Sequence, residues 1–132
     1  MLIKRTLILS ALLALLPLAS GHATEALSSH VYVELPDAPT IAVDWSKGDA
    51  QTVTLGGNRA LTFSNGKRGG RYTLILKQDP TGTRTVTWPP SVRWPGESHQ
   101  ASTLTTSANK TDYITFFYNG VTYDAVGIAQ SL

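Results

Sequence analysis

The sequence predicts an all-β chain, an antiparallel and jelly-roll-like β-sandwich of about eight to nine short strands, preceded by an apolar N-terminal leader helix. Three observations carry this expectation. From Val31 onward apolar residues recur at every second position, the period of a strand with one buried face, and nowhere at helical spacing over a useful length. The alternating runs are short and separated by clusters of Gly, Pro, Asn and Asp, the residues that turns require. The chain of 132 residues has no cysteine, so an exported domain of this size must rest on its core without disulfide staples.

The leader comes first. Lys4 and Arg5 are followed by an apolar run from Leu7 to Leu18, broken only by Ser10 and Pro17. That order of basic tip and apolar stretch is a secretory signal, and Gly21 and Ala23 place small side chains where a signal peptidase needs them, so the cut is expected after Ala23. The run is shorter than the roughly 20 residues that span a bilayer. Residues 1–23 are therefore read as a signal peptide, or as an N-terminal helix if it is not cleaved, and residues 24–132 as one domain, exported to the periplasm or beyond. A lipoprotein anchor would need a cysteine at the cut. The leader holds two of the eleven basic residues and none of the nine acidic ones, so the mature domain is formally neutral. With no basic stripe, no nucleic-acid partner is expected, and no membrane association once the leader is gone.

The strands expected thereafter lie at residues 31–35, 40–45, 51–55, 60–64, 71–78, 83–88, 102–106, 113–118 and 121–128. Val53 and Leu55 match Leu61 and Phe63 across Gly56-Gly57-Asn58, which reads as a short antiparallel connection. In residues 71–78, Tyr72, Leu74 and Leu76 share one face, and Thr73, Ile75 and Lys77 the other. Asp79-Pro80-Thr81-Gly82 then offers Pro at a φ near −65° and Gly where φ turns positive, returning the chain as residues 83–88. Residues 65–70 form the loop expected to be most flexible. Tyr118-Asn119-Gly120-Val121 carries the Asn-Gly signal of a two-residue hairpin, which pairs Tyr118 with Val121, Phe116 with Tyr123 and Ile114 with Ala125 on the core side. Tyr113, Thr115 and Phe117 then face outward.

Catalytic readings find little support. Of three histidines, His22 belongs to the leader, and His30 and His99 have no ligand-type neighbours at metal-binding spacing, so no metal is expected. The carboxylates cluster at turns, as Asp37 beside Pro36 and Asp79 beside Pro80, and no spacing brings Asp44, Asp112 and Asp124 together as a glycosidase pair. No nucleophile elbow, phosphate loop or dinucleotide fingerprint is present, so no catalytic residue and no cofactor is expected. The segment Trp88-Pro89-Pro90-Ser91-Val92-Arg93-Trp94-Pro95-Gly96 is more specific. Trp88 and Trp94 could form a platform for a sugar ring, with Arg93 bonding its hydroxyls; the plainer alternative is that both tryptophans plug the core. Threonine triplets such as Thr52-Val53-Thr54 fit half-exposed strands and are too irregularly spaced for an ice-binding array.

Taken together, Asp44-Trp45-Ser46, Gln51-Thr52-Val53-Thr54-Leu55, Leu61-Thr62-Phe63-Ser64, Gly70-Arg71-Tyr72-Thr73-Leu74, Trp88-Pro89, Val92-Arg93-Trp94-Pro95-Gly96 and Phe116-Phe117-Tyr118-Asn119-Gly120 resemble a β-rich module of tailed-bacteriophage tail fibres and virion appendages. The resemblance spans roughly residues 41–128. It implies a non-enzymatic domain that works by assembly with itself, commonly as a homotrimer, with other virion or envelope proteins, or by adhesion to a cell-surface glycan. The expected partner surface is the strand face around Ile75, Tyr113 and Phe117. A secreted carbohydrate-binding domain using Trp88, Arg93 and Trp94 is the alternative. Virion proteins rarely carry a signal peptide, so the leader implies either an adopted, exported phage domain or an uncleaved segment in a virion.

Overall fold

A computed structural model describes residues 30–132; the leader read at residues 1–23 lies outside the described residues. Nine strands form two sheets: β1 (Tyr32–Glu34), β2 (Thr40–Asp44), β3 (Ala50–Leu55), β4 (Arg59–Ser64), β5 (Arg71–Gln78), β6 (Val86–Thr87), β7 (Val92–Arg93), β8 (Thr111–Tyr118) and β9 (Tyr123–Ala129). The larger sheet has the order β1-β3-β5-β8-β9-β7 and the smaller β2-β4-β6. The all-β, two-sheet architecture with one core follows the expectation from sequence.

The pairing within it is different from the antiparallel, jelly-roll-like pattern expected. From β1 to β6 the chain alternates between the sheets, and every pair in this half is parallel: β1 with β3, β3 with β5, β2 with β4, and β4 with β6. The chain is thus wound as a coil of three turns, each contributing one strand to each sheet. Among the described residues, only β5 with β8 and β8 with β9 are antiparallel. Gly56-Gly57-Asn58 does not fold β4 back beside β3; it is a corner that carries the chain into the other sheet. Apolar alternation does mark the buried faces, but Val53 and Leu55 meet Leu61 and Phe63 across the interior instead of side by side. The same holds for the Asp79-Pro80-Thr81-Gly82 turn, after which β6 joins β4 and not β5.

The corners are fastened from turn to turn. On one side Arg59 makes a two-pronged ion pair with Asp37, one turn earlier, at 2.7 and 2.6 Å, while Asn58 Oδ1 accepts from the Thr85 N–H of the next turn at 3.0 Å. A Cβ at Gly56 would stand 2.7 Å from the Asp37 carboxylate, so this corner needs glycine to let the pair close. On the other side Asn65 Nδ2 donates to Asp44 at 2.9 Å. The loop at residues 65–70 is also tied down: the Gly66 and Lys67 N–H groups donate to the hydroxyls of Tyr123 and Tyr72 at 3.0 and 2.7 Å, and Gly69 N–H to the Tyr118 carbonyl at 2.7 Å.

Among the described residues three polar side chains are buried in the core, and each does the work of a backbone partner. Gln51 donates to the Asp44 and Gly48 carbonyls. Gln78 donates to the Arg84 and Thr105 carbonyls and accepts from the Arg84 N–H. Asp112 accepts from the Thr105 and Ser131 N–H groups at 2.7 and 3.0 Å. These bonds explain two departures from the expected strands. Residues 102–106 form no strand, because the backbone groups of Thr105 are claimed by Gln78 and Asp112 and not by a neighbouring strand. Residues 83–88 shrink to the two of β6, since Thr83 has a positive φ of 65° and Arg84 is held by Gln78.

The β8–β9 hairpin exists, with its register moved by one residue on each strand. Tyr118 pairs with Tyr123 and Phe116 with Ala125, and a bulge between Thr115 and Phe116 brings Ile114 opposite Ile128. The turn centres on Gly120 and Val121 because Asn119 uses its own side chain to cap it, accepting from the Val121 and Thr122 N–H groups at 2.8 and 2.9 Å. Displacement by two positions in the pairing keeps the faces, so Ile114, Phe116, Tyr123 and Ala125 are all buried. Val121, expected on the core side, lies in the turn and is 78% exposed.

Candidate functional site

The tryptophan and proline segment turns inward. Trp94 is only 5% exposed and belongs to the core cluster, against which Trp88 packs. Their rings meet edge to face at 5.0 Å between centroids, and both contact Phe116. The structure thus brings Trp88 and Trp94 together as core plugs, and Trp94 presents no open face to a sugar. Arg93, on β7, points away to the surface, where it grips Asp124 through two hydrogen bonds of 3.0 and 2.6 Å. Of the three, Trp88 alone lines a cleft of about 210 Å³, together with Thr85, Val86 and residues 101–104 and 106.

Ile75, Tyr113 and Phe117 share the outer face of the large sheet. Register sets Glu34, Thr52, Ile75, Tyr113 and Ala129 in one row across five strands. The next row holds Tyr32, Ala50, Thr73, Thr115 and Gly127, with Thr73 and Thr115 hydroxyls 3.1 Å apart. Beyond it Arg71, Phe117, Asp124 and Arg93 line up, the Arg71 guanidinium lying 5.8 Å from the Phe117 ring centroid. Tyr113 is 38% exposed, Phe117 is half-buried under Arg71, and Ile75 is buried between its neighbours.

A census of aromatic residues separates this face from the rest of the molecule. Of three Trp, five Tyr and three Phe, eight interlock inside: Trp45, Phe63, Tyr72, Trp88, Trp94, Phe116, Tyr118 and Tyr123. The three left over, Tyr32, Tyr113 and Phe117, all stand on the outer face of the large sheet. Tyr32 is not legible from sequence as part of this face, because β1 pairs in parallel with β3, a neighbour that no turn signal announces.

Carboxylates serve local structure. Asp37, Asp79 and Asp124 face Arg59, Arg84 and Arg93, and hydrogen bonds from these guanidinium groups hold each carboxyl below its ordinary pKa. Asp44 is lowered by hydrogen bonds from Ser46 and Asn65. For Asp112 burial pushes upward, but the Thr105 and Ser131 N–H groups outweigh it and the net direction is down. Asp112 points into the core and Asp124 away from it, on opposite faces of one sheet, so they share no cleft. His30 pairs with Asp49 at the surface, which raises its pKa, and His99 Nδ1 lies 2.9 Å from the Trp94 carbonyl oxygen. Among the described residues no group of three or more His, Cys, Asp or Glu is arranged to hold a metal ion.

No curated protein and no solved structure gives a significant match to the chain. A family model described as "Putative phage tail fibre C-terminal domain" matches residues 38–123, from just before β2 to the first residue of β9. Strands β2 to β8 fall within that match, while β1 and all but the first residue of β9 lie outside it, and the chain belongs to this family of phage tail-fibre domains.

Proposed function

We propose that this tail-fibre-type structural module works by assembly, packing the outer face of its large sheet against identical chains, with a homotrimer as the expected form. The observation that carries the reading is the aromatic census: every aromatic side chain not used by the core stands on that one face. It is rich in threonine, and the middle of one row, Thr52-Ile75-Tyr113, carries no charge, the nearest being Glu34 at the row's end. Such a surface suits a protein partner better than water. Sedimentation across a concentration series tests it. Self-association that is lost in Tyr113→Glu is the expected result; a wild-type chain that stays monomeric at high concentration overturns it.

A second reading is supported by the Trp88 cleft, where the indole shares the lining with the hydroxyl-bearing Thr85, Ser102, Thr103 and Thr106 and the apolar Val86, Ala101 and Leu104. It would hold a single sugar unit of a cell-surface glycan, with Trp94 buttressing Trp88 from behind. A glycan array on which Trp88→Ala binds as well as the wild type removes this reading. Export through the leader is proposed on residues 1–23 alone, and an N-terminal sequence of the purified protein that does not begin at Thr24 would overturn cleavage there.

A further inference from the structure

Arg59, Arg84 and Arg93 pair with Asp37, Asp79 and Asp124. The other Lys and Arg side chains of the described residues divide between the two ends of the sheets. Lys77 and Lys110 lie at one end, and Lys47, Lys67, Arg68 and Arg71 at the other. Lys47 stands on the corner between β2 and β3, where Asp44 offsets its charge. Lys67, Arg68 and Arg71 are left as three exposed cations within five residues, and among the described residues none of them is in an ion pair. The carboxylates at this end are already engaged: Asp44 by Ser46 and Asn65, Asp49 by His30 and the Val31 N–H, and Asp124 by Arg93 and Thr122.

The three cations sit on a frame stiffer than their glycine-rich loop suggests. Beyond the two tyrosine hydroxyls that hold Gly66 and Lys67, the Gly69 N–H and the Gly70 carbonyl both bond to the Tyr118 backbone. A Cβ at Gly70 would stand 2.5 Å from the Tyr72 hydroxyl, so the chain is drawn down onto that ring. Arg68 lies along the hairpin turn, its Cδ and Cγ 3.2 and 3.3 Å from where a Gly120 side chain would begin. Arg71 covers Phe117, three residues before Gly120. Loop and hairpin end thus hold Arg68 and Arg71 side by side, with Lys67 next to them in the chain.

We propose that Lys67, Arg68 and Arg71 form a binding site for the oxyanion groups, phosphate or carboxylate, of an acidic polysaccharide. Guanidinium forks match the paired oxygens of such groups, and the Lys67 ammonium adds a point charge. A loop already fastened gives up little freedom when it binds. What stands beside the charges selects the kind of polymer. Ser64 and Asn65, directly before them, are exposed and offer a hydroxyl and an amide to sugar hydroxyls. A single-stranded nucleic acid needs open aromatic rings on which its bases stack, and Phe117, the ring at this cluster, is covered by Arg71. A bilayer needs an apolar face to enter, and the hairpin tip offers it only Val121. Lys67 and Arg68 belong neither to the aromatic face nor to the Trp88 cleft, so this site is tested separately from both.

The test is affinity of the full chain for polygalacturonate, which carries carboxylates, and for a phosphate-bearing mannan, with neutral dextran as the blank. Lys67→Gln combined with Arg68→Gln should weaken binding about tenfold or more. Lys77→Gln combined with Lys110→Gln removes the same charge from the opposite end and should change binding by less than about twofold. Binding to one acidic polymer and not the other supports the site and identifies its oxyanion. Equal losses in the two double variants mean diffuse attraction to a charged chain and overturn the site, as does a wild type that binds neither polymer. Binding to duplex DNA or to phosphatidylglycerol vesicles as tightly as to the polysaccharides overturns the choice of partner. Loss of polysaccharide binding in Trp88→Ala, with none in the Lys67 and Arg68 double variant, overturns the site and leaves the Trp88 cleft as the glycan contact.

Discussion

The half built from β1 to β6 and the half built from β8 and β9 solve the same problem, hiding one apolar face of each strand, by different means. In the first, each corner hands the chain to the opposite sheet, so a strand's hydrogen-bonding neighbour lies about one coil turn away in sequence. In the second, the neighbour is the next strand and a tight turn sets the pairing. Side-chain alternation reports burial in both halves alike, because it depends on the strand alone. It says nothing about which strand lies alongside, and only the hairpin half carries a local signal for that.

The largest test of this contrast is at Phe116, which is fully buried and touches Phe63 of the small sheet as well as Trp88 and Trp94. Phe116→Ala removes the ring through which the hairpin meets the coil and should destabilise the protein by about 3–5 kcal/mol in denaturant unfolding. If the two halves were independent, the loss would be much smaller and the transition would split in two.

A smaller effect is expected at Asp112, which ties residues 105 and 131 to the hairpin half. Asp112→Ala strands two N–H donors and should remove about 2–3 kcal/mol. Its pH signature is specific. The folded carboxyl titrates below its unfolded value, so its contribution is complete above the ordinary carboxylate range and disappears as pH falls through the lower, folded value. Asp112→Asn should therefore flatten part of the acid limb of the stability profile; an unchanged limb would show that the carboxylate charge is not what holds Thr105 and Ser131.

Smallest is the comparison of the two buried glutamines. Gln78 makes three hydrogen bonds and both of its polar atoms are used, whereas Gln51 makes two and leaves its carbonyl oxygen without a partner. Gln78→Leu should cost about 1–3 kcal/mol and Gln51→Leu distinctly less. Equal losses would mean that the orphaned oxygen of Gln51 is satisfied in solution.

The particular residues show how far sequence reasoning reaches. Buried positions such as Leu74, Leu76, Ile114 and Phe116 are legible from alternation, and so is the outward position of Tyr113 and Phe117. The parallel winding is not, since its corners use the same Gly, Asn, Asp and Pro as hairpin turns. A usable signal is present: apolar pairs that share a register, such as Val53 with Leu76 and Ile41 with Leu61, are separated by about twenty residues, the mark of a repeated unit. Residues 102–106 mislead for another reason. Period-two alternation marks any extended segment lying on a core, and here side chains of Gln78 and Asp112 take the place of the neighbouring strand.

The winding also sets rules for how such a domain can change in length. A unit of about twenty residues that begins and ends in equivalent positions can be duplicated in the gene, and the new copy finds the same neighbours above and below as the old one. The antiparallel end cannot grow in this way, because β8 uses the free side of β5 and reverses the direction of the chain. Insertions and deletions in relatives should therefore fall in multiples of one turn before Gln78, with the portion beyond it constant in size, as a stopper that fixes where the column ends.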